Sequence, residues 1–286
     1  MTSVKRTLRQ TAINIKVEHT IFALPFAYLG LVLAHKSFPS WSTFLIVTLA
    51  MVAARTAAMS LNRYLDRHID ARNPRTANRP IPAGSLSARS VLAVAVVSLV
   101  ALVAMAALLN PLCLALSPIA VIALTGYSYM KRFTWLCHFG LGFTDAIAPA
   151  GGWLAVRPEF GLSMLLLAAA VGIWIAGFDI IYACQDVEFD RREGLHSLPA
   201  RFGIPAGLLA AKLCHVAMIA LLVGVGLSLG LGWLYYLGVA AAAGLLVYEH
   251  SLINPRDLSK INIAFFNVNS YIAGTLFVFT LASLYV

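Results

Sequence analysis

Charge is what this sequence has least of. Only 12% of its 286 residues are Asp, Glu, Lys or Arg, whereas 60% are hydrophobic, and the mean hydropathy is +0.82. A soluble domain of this size carries about twice that charged fraction. No charged residue occurs from Ser90 to Met130 or from Leu213 to Tyr248, runs of 41 and 36 residues. One bilayer crossing takes about 20 apolar residues, so secreted, disordered, coiled-coil and ordinary cytosolic folds are excluded. Cysteine is scarce too. Cys113, Cys137, Cys184 and Cys214 stand singly in apolar stretches with no CxxC, which reads as packing thiols. The seven histidines lack HxxxH and HExxH spacing, so a zinc helix is not expected. The first 19 residues are polar and basic, without the apolar core and small-residue cleavage site of a cleavable signal peptide.

What is there is an all-α pattern: a polytopic transmembrane helical bundle forming one integral-membrane domain over residues 1–286. Apolar segments between polar or Pro/Gly breaks predict about nine helices, at 20–37, 41–65, 89–109, 111–130, 134–156, 161–184, 205–229, 232–250 and 262–285. The longest uncharged run would be about 61 Å as one helix, twice a bilayer core. Asn110-Pro111 is its natural break, and Gly230-Leu231-Gly232 divides the other. Net charge is +9. In a soluble chain that would suggest nucleic acid, but the membrane explains it better. The N-terminus and the loops after helices 2, 4, 6 and 8 hold 17 of the 21 basic residues, including Arg63, Arg67 and Arg72. The positive-inside rule then places the N-terminus and these loops in the cytoplasm of a cell membrane, with the C-terminus opposite. No nucleic-acid partner and no obligate protein partner are expected.

The few acids are not scattered. Asp66 and Asp70 recur 120 residues later as Asp186 and Asp190, and each pair precedes a basic loop with Pro-Ala, at Pro82-Ala83 and Pro199-Ala200. Four crossings separate the pairs, so the two units form a parallel internal repeat with the acids converging on one site. In the first cluster a spacing of four places Asn62, Asp66 and Asp70 on one helix face, with Arg55 seven residues earlier on the same face. In the second, offsets of three, seven and eleven put Asp179, Tyr182, Asp186 and Asp190 on one stripe. Carboxylates at membrane depth are costly and need compensation. Hard oxygen ligands suit Mg²⁺, which shares its shell with water and phosphate. Arg67, Arg72, Arg75, Arg79, Lys131, Arg132, Arg191, Arg192 and Arg201 surround the same positions. Metal-holding acids ringed by cationic donors are what a diphosphate requires, and an apolar bundle suits one with a long lipid tail.

At these residues a family resemblance becomes plain. Asn62-x3-Asp66-x3-Asp70 followed by Arg75-Thr-Ala-Asn-Arg79-Pro-Ile-Pro-Ala-Gly84 resembles the first aspartate-rich motif of UbiA-type prenyltransferases. Tyr182-x3-Asp186-x3-Asp190 resembles their second, and Tyr127-Ser-Tyr-Met-Lys131-Arg132-Phe-Thr134 their helix 4 end. The match spans essentially the whole chain. It implies nine transmembrane helices and Mg²⁺-dependent transfer of a prenyl group onto an aromatic or related acceptor. Asn62, Asp66, Asp70, Asp186 and Asp190 would hold Mg²⁺-diphosphate, and Lys131 would contact the diphosphate. The stretches Lys16 to Phe26 and Gln185 to Arg192 are similar to two quinone-route branches, the 4-hydroxybenzoate polyprenyltransferases and the menaquinone enzymes of the futalosine route. Asn62-Arg63 and His19-Thr20 depart from the pattern of many ubiquinone-route members, which leaves two acceptors in view, 4-hydroxybenzoate and a dihydroxynaphthoate.

The expected chemistry combines a polyprenyl diphosphate with an aromatic acid in ubiquinone or menaquinone biosynthesis. Cations stabilise the leaving diphosphate, a dry pocket protects an allylic cation, and aromatic faces such as Phe178 and Tyr182 stabilise it. Asp179, two turns from Asp186, is a candidate to orient or deprotonate the acceptor hydroxyl, and Arg55 to bind its carboxylate. Asp145, inside helix 5, is a further intramembrane acid. Two rival readings are a transporter, whose acids would sit mid-span in interrupted helices, and a lipid-binding scaffold, which would not need two aligned acid ladders.

Overall fold

The computed structural model describes residues 3–15 and 17–286, with side chains described for 9–15 and 24–286. Lys16 and the side chains of Lys5, Arg6 and residues 17–23, part of the sequence pattern above, lie outside the described residues. The chain is 81% helix, with no strand among the described residues. In order the α-helices are α1 (Ser3–Ile15), α2 (Val17–His35), α3 (Trp41–Arg72), α4 (Ala88–Leu109), α5 (Pro111–Met130), α6 (Cys137–Val156), α7 (Leu162–Ala183), α8 (Val187–Glu193), α9 (Leu198–Phe202), α10 (Ile204–Leu229), α11 (Trp233–Ser251) and α12 (Asn269–Ser283). A 3₁₀ turn, Cys184–Asp186, joins α7 to α8, and a π-helical turn, Ile263–Val268, leads into α12.

Every predicted apolar segment falls on a helix. Among the described residues, six helices are long and apolar enough to cross a membrane: Trp41–Arg72, Ala88–Leu109, Pro111–Met130, Leu162–Glu193, Ile204–Leu229 and Ile263–Ser283. Polar side chains lower the apolarity of α6 (His138, Thr144, Asp145) and α11 (Tyr235, Tyr236, Glu249). This is an integral membrane protein.

By backbone contacts the chain divides into two compact units, residues 1–24 with 44–129 and residues 25–43 with 130–286. In the first, α3 buries small residues, Ala53, Ala57, Ala58 and Ser60. The Tyr127 hydroxyl donates to the Ala58 carbonyl at 3.3 Å. The α4–α5 break forms where predicted. Asn110 Oδ1 accepts from the Cys113 N–H at 2.9 Å as an N-cap, and Pro111 takes the first helical position, where no N–H is needed. Val96, Val97 and Val100 of α4 are exposed, as suits a helix solvated by lipid.

In the second unit α7 is the hub, packed against α6 and α10, while α11 packs on α12. The contacts are so close that side chains would not fit. A Cβ on Gly142 would lie 2.2 Å from the Gly172 carbonyl oxygen, and one on Gly152 would lie 2.0 Å from that of Ala27. All four cysteines are free thiols, and Cys184 and Cys214 belong to the apolar core.

Candidate functional site

The first acid motif is assembled within one unit. The structure continues α3 to Arg72, seven residues past the predicted end, so Asn62, Asp66 and Asp70 all ride the same helix. Asp66 and Asp70 are buried, at 1% and 5% exposure. The Asn62 amide donates to Asp66 Oδ2 at 3.2 Å and to Ser128 Oγ at 3.3 Å. The following loop is a chain of tight turns that returns a cation to the helix. Asn73 Oδ1 accepts from the Arg75 N–H at 2.9 Å, an Asx turn, and the buried Thr76 hydroxyl donates to the Asp70 carbonyl at 2.9 Å. Arg79 Nη1 thereby reaches both carboxylate oxygens of Asp70, at 2.7 Å each. This explains the sequence Arg75 to Gly84 physically: the turn formers set the approach of Arg79.

Arg55 lies two turns before Asn62 in α3. Its Nε is buried without a hydrogen-bond partner. Three basic residues assigned to a loop from sequence belong to α3 instead. Arg63 is buried and its Nε donates to the Asn14 carbonyl at 3.3 Å, so it joins α3 to α1. Arg67 donates to the Tyr64 carbonyl at 2.6 Å and lies over the Tyr64 ring.

The second motif differs from expectation. Asp179, Tyr182, Asp186 and Asp190 do not ride one uninterrupted α-helix, because α7 ends at Ala183 and Cys184–Asp186 tighten into a 3₁₀ turn before α8 begins. A 3₁₀ turn advances about 120° per residue against about 100° in an α-helix, adding about 60° over three residues. Gln185 Nε2 donates to the Tyr182 carbonyl at 2.9 Å at this junction. Asp186 and Asp190 are therefore swung relative to Asp179 and Tyr182. Asp190 Oδ2 accepts from the Ser197 hydroxyl at 2.9 Å, and the same hydroxyl oxygen caps α9 through the Ala200 N–H. Gly194, at φ 66°, ends α8 in the left-handed conformation that lets the chain reverse.

Lys131 and Arg132 occupy the turn between α5 and α6, set by N–H bonds from Phe133 and Thr134 to the Met130 carbonyl at 3.0 and 2.8 Å. The Lys131 carbonyl accepts from the His196 N–H at 2.7 Å, which fixes this turn beside the loop after the second motif. Asp179 accepts from His138 Nδ1 at 2.7 Å. The Tyr182 ring lies 4.2 Å from Phe265, and Phe265 lies 5.2 Å from Phe178, giving an aromatic wall. Asp145 is half-buried mid-way along α6.

Sequence reasoning missed His138, Ser197, Phe265 and the polar support behind the wall. Asn269 Nδ2 donates to the Ala264 and Phe265 carbonyls, at 3.2 and 3.1 Å, and to Glu249 Oε1 at 3.0 Å. Those carbonyls belong to the π-helical turn, where the ordinary backbone ladder is interrupted. No local pattern marks the partners of His138 and Glu249, which lie 20 to 60 residues away.

Comparison with known proteins shows which family the chain resembles. The chain is 32% identical over 254 residues to the 4-hydroxybenzoate octaprenyltransferase of Aliivibrio fischeri (strain ATCC 700601 / ES114), covering 89% of this chain and 88% of that protein. The apo structure of a UbiA homolog from Aeropyrum pernix K1 superposes with a TM-score of 0.84 at 33% identity, over 93% of this chain and 98% of that one. A UbiA homolog from Archaeoglobus fulgidus bound to GPP and Mg²⁺ shares the fold, with a TM-score of 0.73 at 18% identity over 97% and 100% of the two chains. Residues 23–271 match the UbiA prenyltransferase family, and with the two acid motifs held as described, this chain belongs to that family.

Proposed function

We propose that this protein transfers a polyprenyl group from polyprenyl diphosphate onto an aromatic acid, 4-hydroxybenzoate or a dihydroxynaphthoate, in quinone biosynthesis. The observation that carries the reading is the end of α3, where two buried carboxylates, Asp66 and Asp70, stand one turn apart with Asn62 beside them and Arg79 on Asp70. The relatives' names support the substrate class. The family membership favours a transferase over the transporter and scaffold readings.

The donor set fits Mg²⁺, which would be held by Asn62, Asp66, Asp70, Asp186 and Asp190. Among the described residues no three His, Cys, Asp or Glu groups form a metal cluster by themselves. Mg²⁺ would complete its shell with water and phosphate oxygens. When bound, the metal supplies positive charge against the leaving diphosphate. Arg75, Arg79, Lys131 and Arg132 supply the remaining donors, with Arg79 suited to a paired grip on oxygen anions. The joint use of both motifs rests on their 120-residue register and on the family.

Departure of the diphosphate with the electron pair of its C–O bond leaves an allylic cation. Tyr182, Phe178 and Phe265 offer ring faces to it. Asp179 orients the acceptor hydroxyl through a carboxylate oxygen, and Arg55 receives the acceptor carboxylate. The ring carbon ortho to the hydroxyl forms the new C–C bond and then loses its proton to an oxygen of the departed diphosphate. Nine crossings with a cytoplasmic N-terminus and an opposite C-terminus complete the proposal, supported by the distribution of basic residues.

The test uses purified protein in detergent or nanodiscs with polyprenyl diphosphate, Mg²⁺ and each aromatic acid in turn. A Mg²⁺-dependent prenylated product of the expected mass is the predicted result. No product across the acceptors, with unchanged diphosphate binding in Asp66→Ala, would sink the reading.

A further inference from the structure

His138 lies buried at the start of α6, at 2% exposure, outside both aspartate motifs. Its two ring nitrogens have different partners. Nε2 is approached by the Leu198 backbone N–H at 3.2 Å, and a backbone N–H can only donate, so Nε2 carries no proton. Nδ1 therefore bears the ring hydrogen and donates it to Asp179 Oδ2 at 2.7 Å. The two contacts together set the tautomer and make the imidazole a neutral bridge.

What lies on each side of that bridge gives it meaning. Leu198 opens α9, and the residue before it, Ser197, donates to Asp190 Oδ2 at 2.9 Å. One residue earlier, His196 donates its N–H to the Lys131 carbonyl, and its own carbonyl accepts from Cys137 Sγ at 3.3 Å. Three successive residues, His196 to Leu198, thus tie the Lys131 turn, the Asp190 carboxylate and the His138 ring to one short segment. On the far side, the Asp179 side chain is 28% accessible and stands one turn from Tyr182 of the aromatic wall. With Oδ2 engaged by His138, Oδ1 remains to meet a ligand.

We propose that His138 is the positioning residue for Asp179, presenting that carboxylate to the aromatic acceptor in register with the Asp190 end of the diphosphate motif. The inference rests on the assignment of Asp179 to the acceptor, and it adds a residue that sets acceptor binding through another side chain. Groups that orient a functional carboxylate or ligand from behind change function by about tenfold to a hundredfold when removed.

Three variants test it. His138→Leu removes both contacts. It should lower kcat/KM for the acceptor about tenfold to a hundredfold while leaving KM for polyprenyl diphosphate within about twofold. His138→Gln offers one donor and one acceptor in a similar disposition and should recover activity to within about threefold of the parent. In an Asp179→Ala background the His138→Leu change should cost less than about twofold, because residues acting as one unit are not additive. A Gln variant as impaired as the Leu variant, or losses that multiply in the double variant, would overturn the role. A readout independent of catalysis is ¹⁵N NMR of histidine-labelled protein, with the His138 signal assigned by its loss in His138→Gln. A bare Nε2 and a protonated Nδ1 are expected. A protonated Nε2 would refute the bridge even if no acceptor were ever turned over, whereas absent turnover with the expected tautomer would count against the acceptor assignment alone.

Discussion

Replacing Arg79 with alanine is the most direct probe of the first motif. Arg79 Nη1 holds both oxygens of Asp70 at 2.7 Å, and the side chains are 23% and 7% accessible. A bound cation at Asp70 must compete with this guanidinium. Hydrogen bonds to charged groups contribute about 1.5–3 kcal/mol. One nitrogen serves both oxygens and the arginine is partly solvated, so the low end of that range applies, about 1.5–2 kcal/mol, or about tenfold to thirtyfold. Arg79→Ala should therefore tighten Mg²⁺ binding to the diphosphate-free protein by about tenfold, after some loss to local relaxation. It should also lower kcat/KM for polyprenyl diphosphate, because a donor is gone. In Mg²⁺-free buffer the variant should melt lower than the parent, since a buried carboxylate is left unpaired. Added Mg²⁺ should narrow that difference through binding to the folded state. Calorimetric Mg²⁺ titration with thermal unfolding checks all three effects. A Mg²⁺ affinity that stays constant or weakens in a well-folded Arg79→Ala protein would refute the competition.

Other outcomes follow from the same geometry. Asp66→Asn and Asp186→Asn should each abolish turnover while the protein inserts normally, and retained activity in either would move the site elsewhere. Arg55→Leu should raise KM for a carboxylate acceptor by about tenfold to a hundredfold, the value of one charge-assisted contact, with KM for the diphosphate nearly constant. Gly152→Ala places a Cβ 2.0 Å from the Ala27 carbonyl oxygen, a backbone atom with little freedom to yield. It should cost about 1–3 kcal/mol, read as a lowered melting temperature. Gly151→Ala meets nothing within 4 Å and should be neutral or slightly stabilising. A reporter fused after Val286 should signal from the non-cytoplasmic side.

The legible part of this protein is the part written in local sequence. Apolar runs ended where polar or breaking residues stood, so Asn110-Pro111 and Gly230 were visible as helix boundaries and proved to be a cap and a left-handed turn. The acids declared themselves because carboxylates are conspicuous in an apolar chain. The 3₁₀ turn between Asp179 and Asp190 was not foreseen, because nothing in the composition announces one such turn between two helices. Arg63 shows a different failure. It was counted with the loop cations although it falls within the predicted 41–65 helix, where a carbonyl from α1 satisfies it.

Sequence alone was enough to determine the solvent of this protein, its all-helical class, the two acid motifs and the basic segments that follow them. Those properties depend on residue type and on spacings of a few positions, where helix geometry is regular. The tertiary structure decided the rest: that Arg79 closes on Asp70, that Ser197 holds Asp190, and that His138 turns Asp179 through a proton fixed by Leu198. Each is a directional bond between groups distant along the chain or brought round by a turn. Such bonds tolerate errors of only a few tenths of an ångström, which packing supplies and residue spacing does not encode.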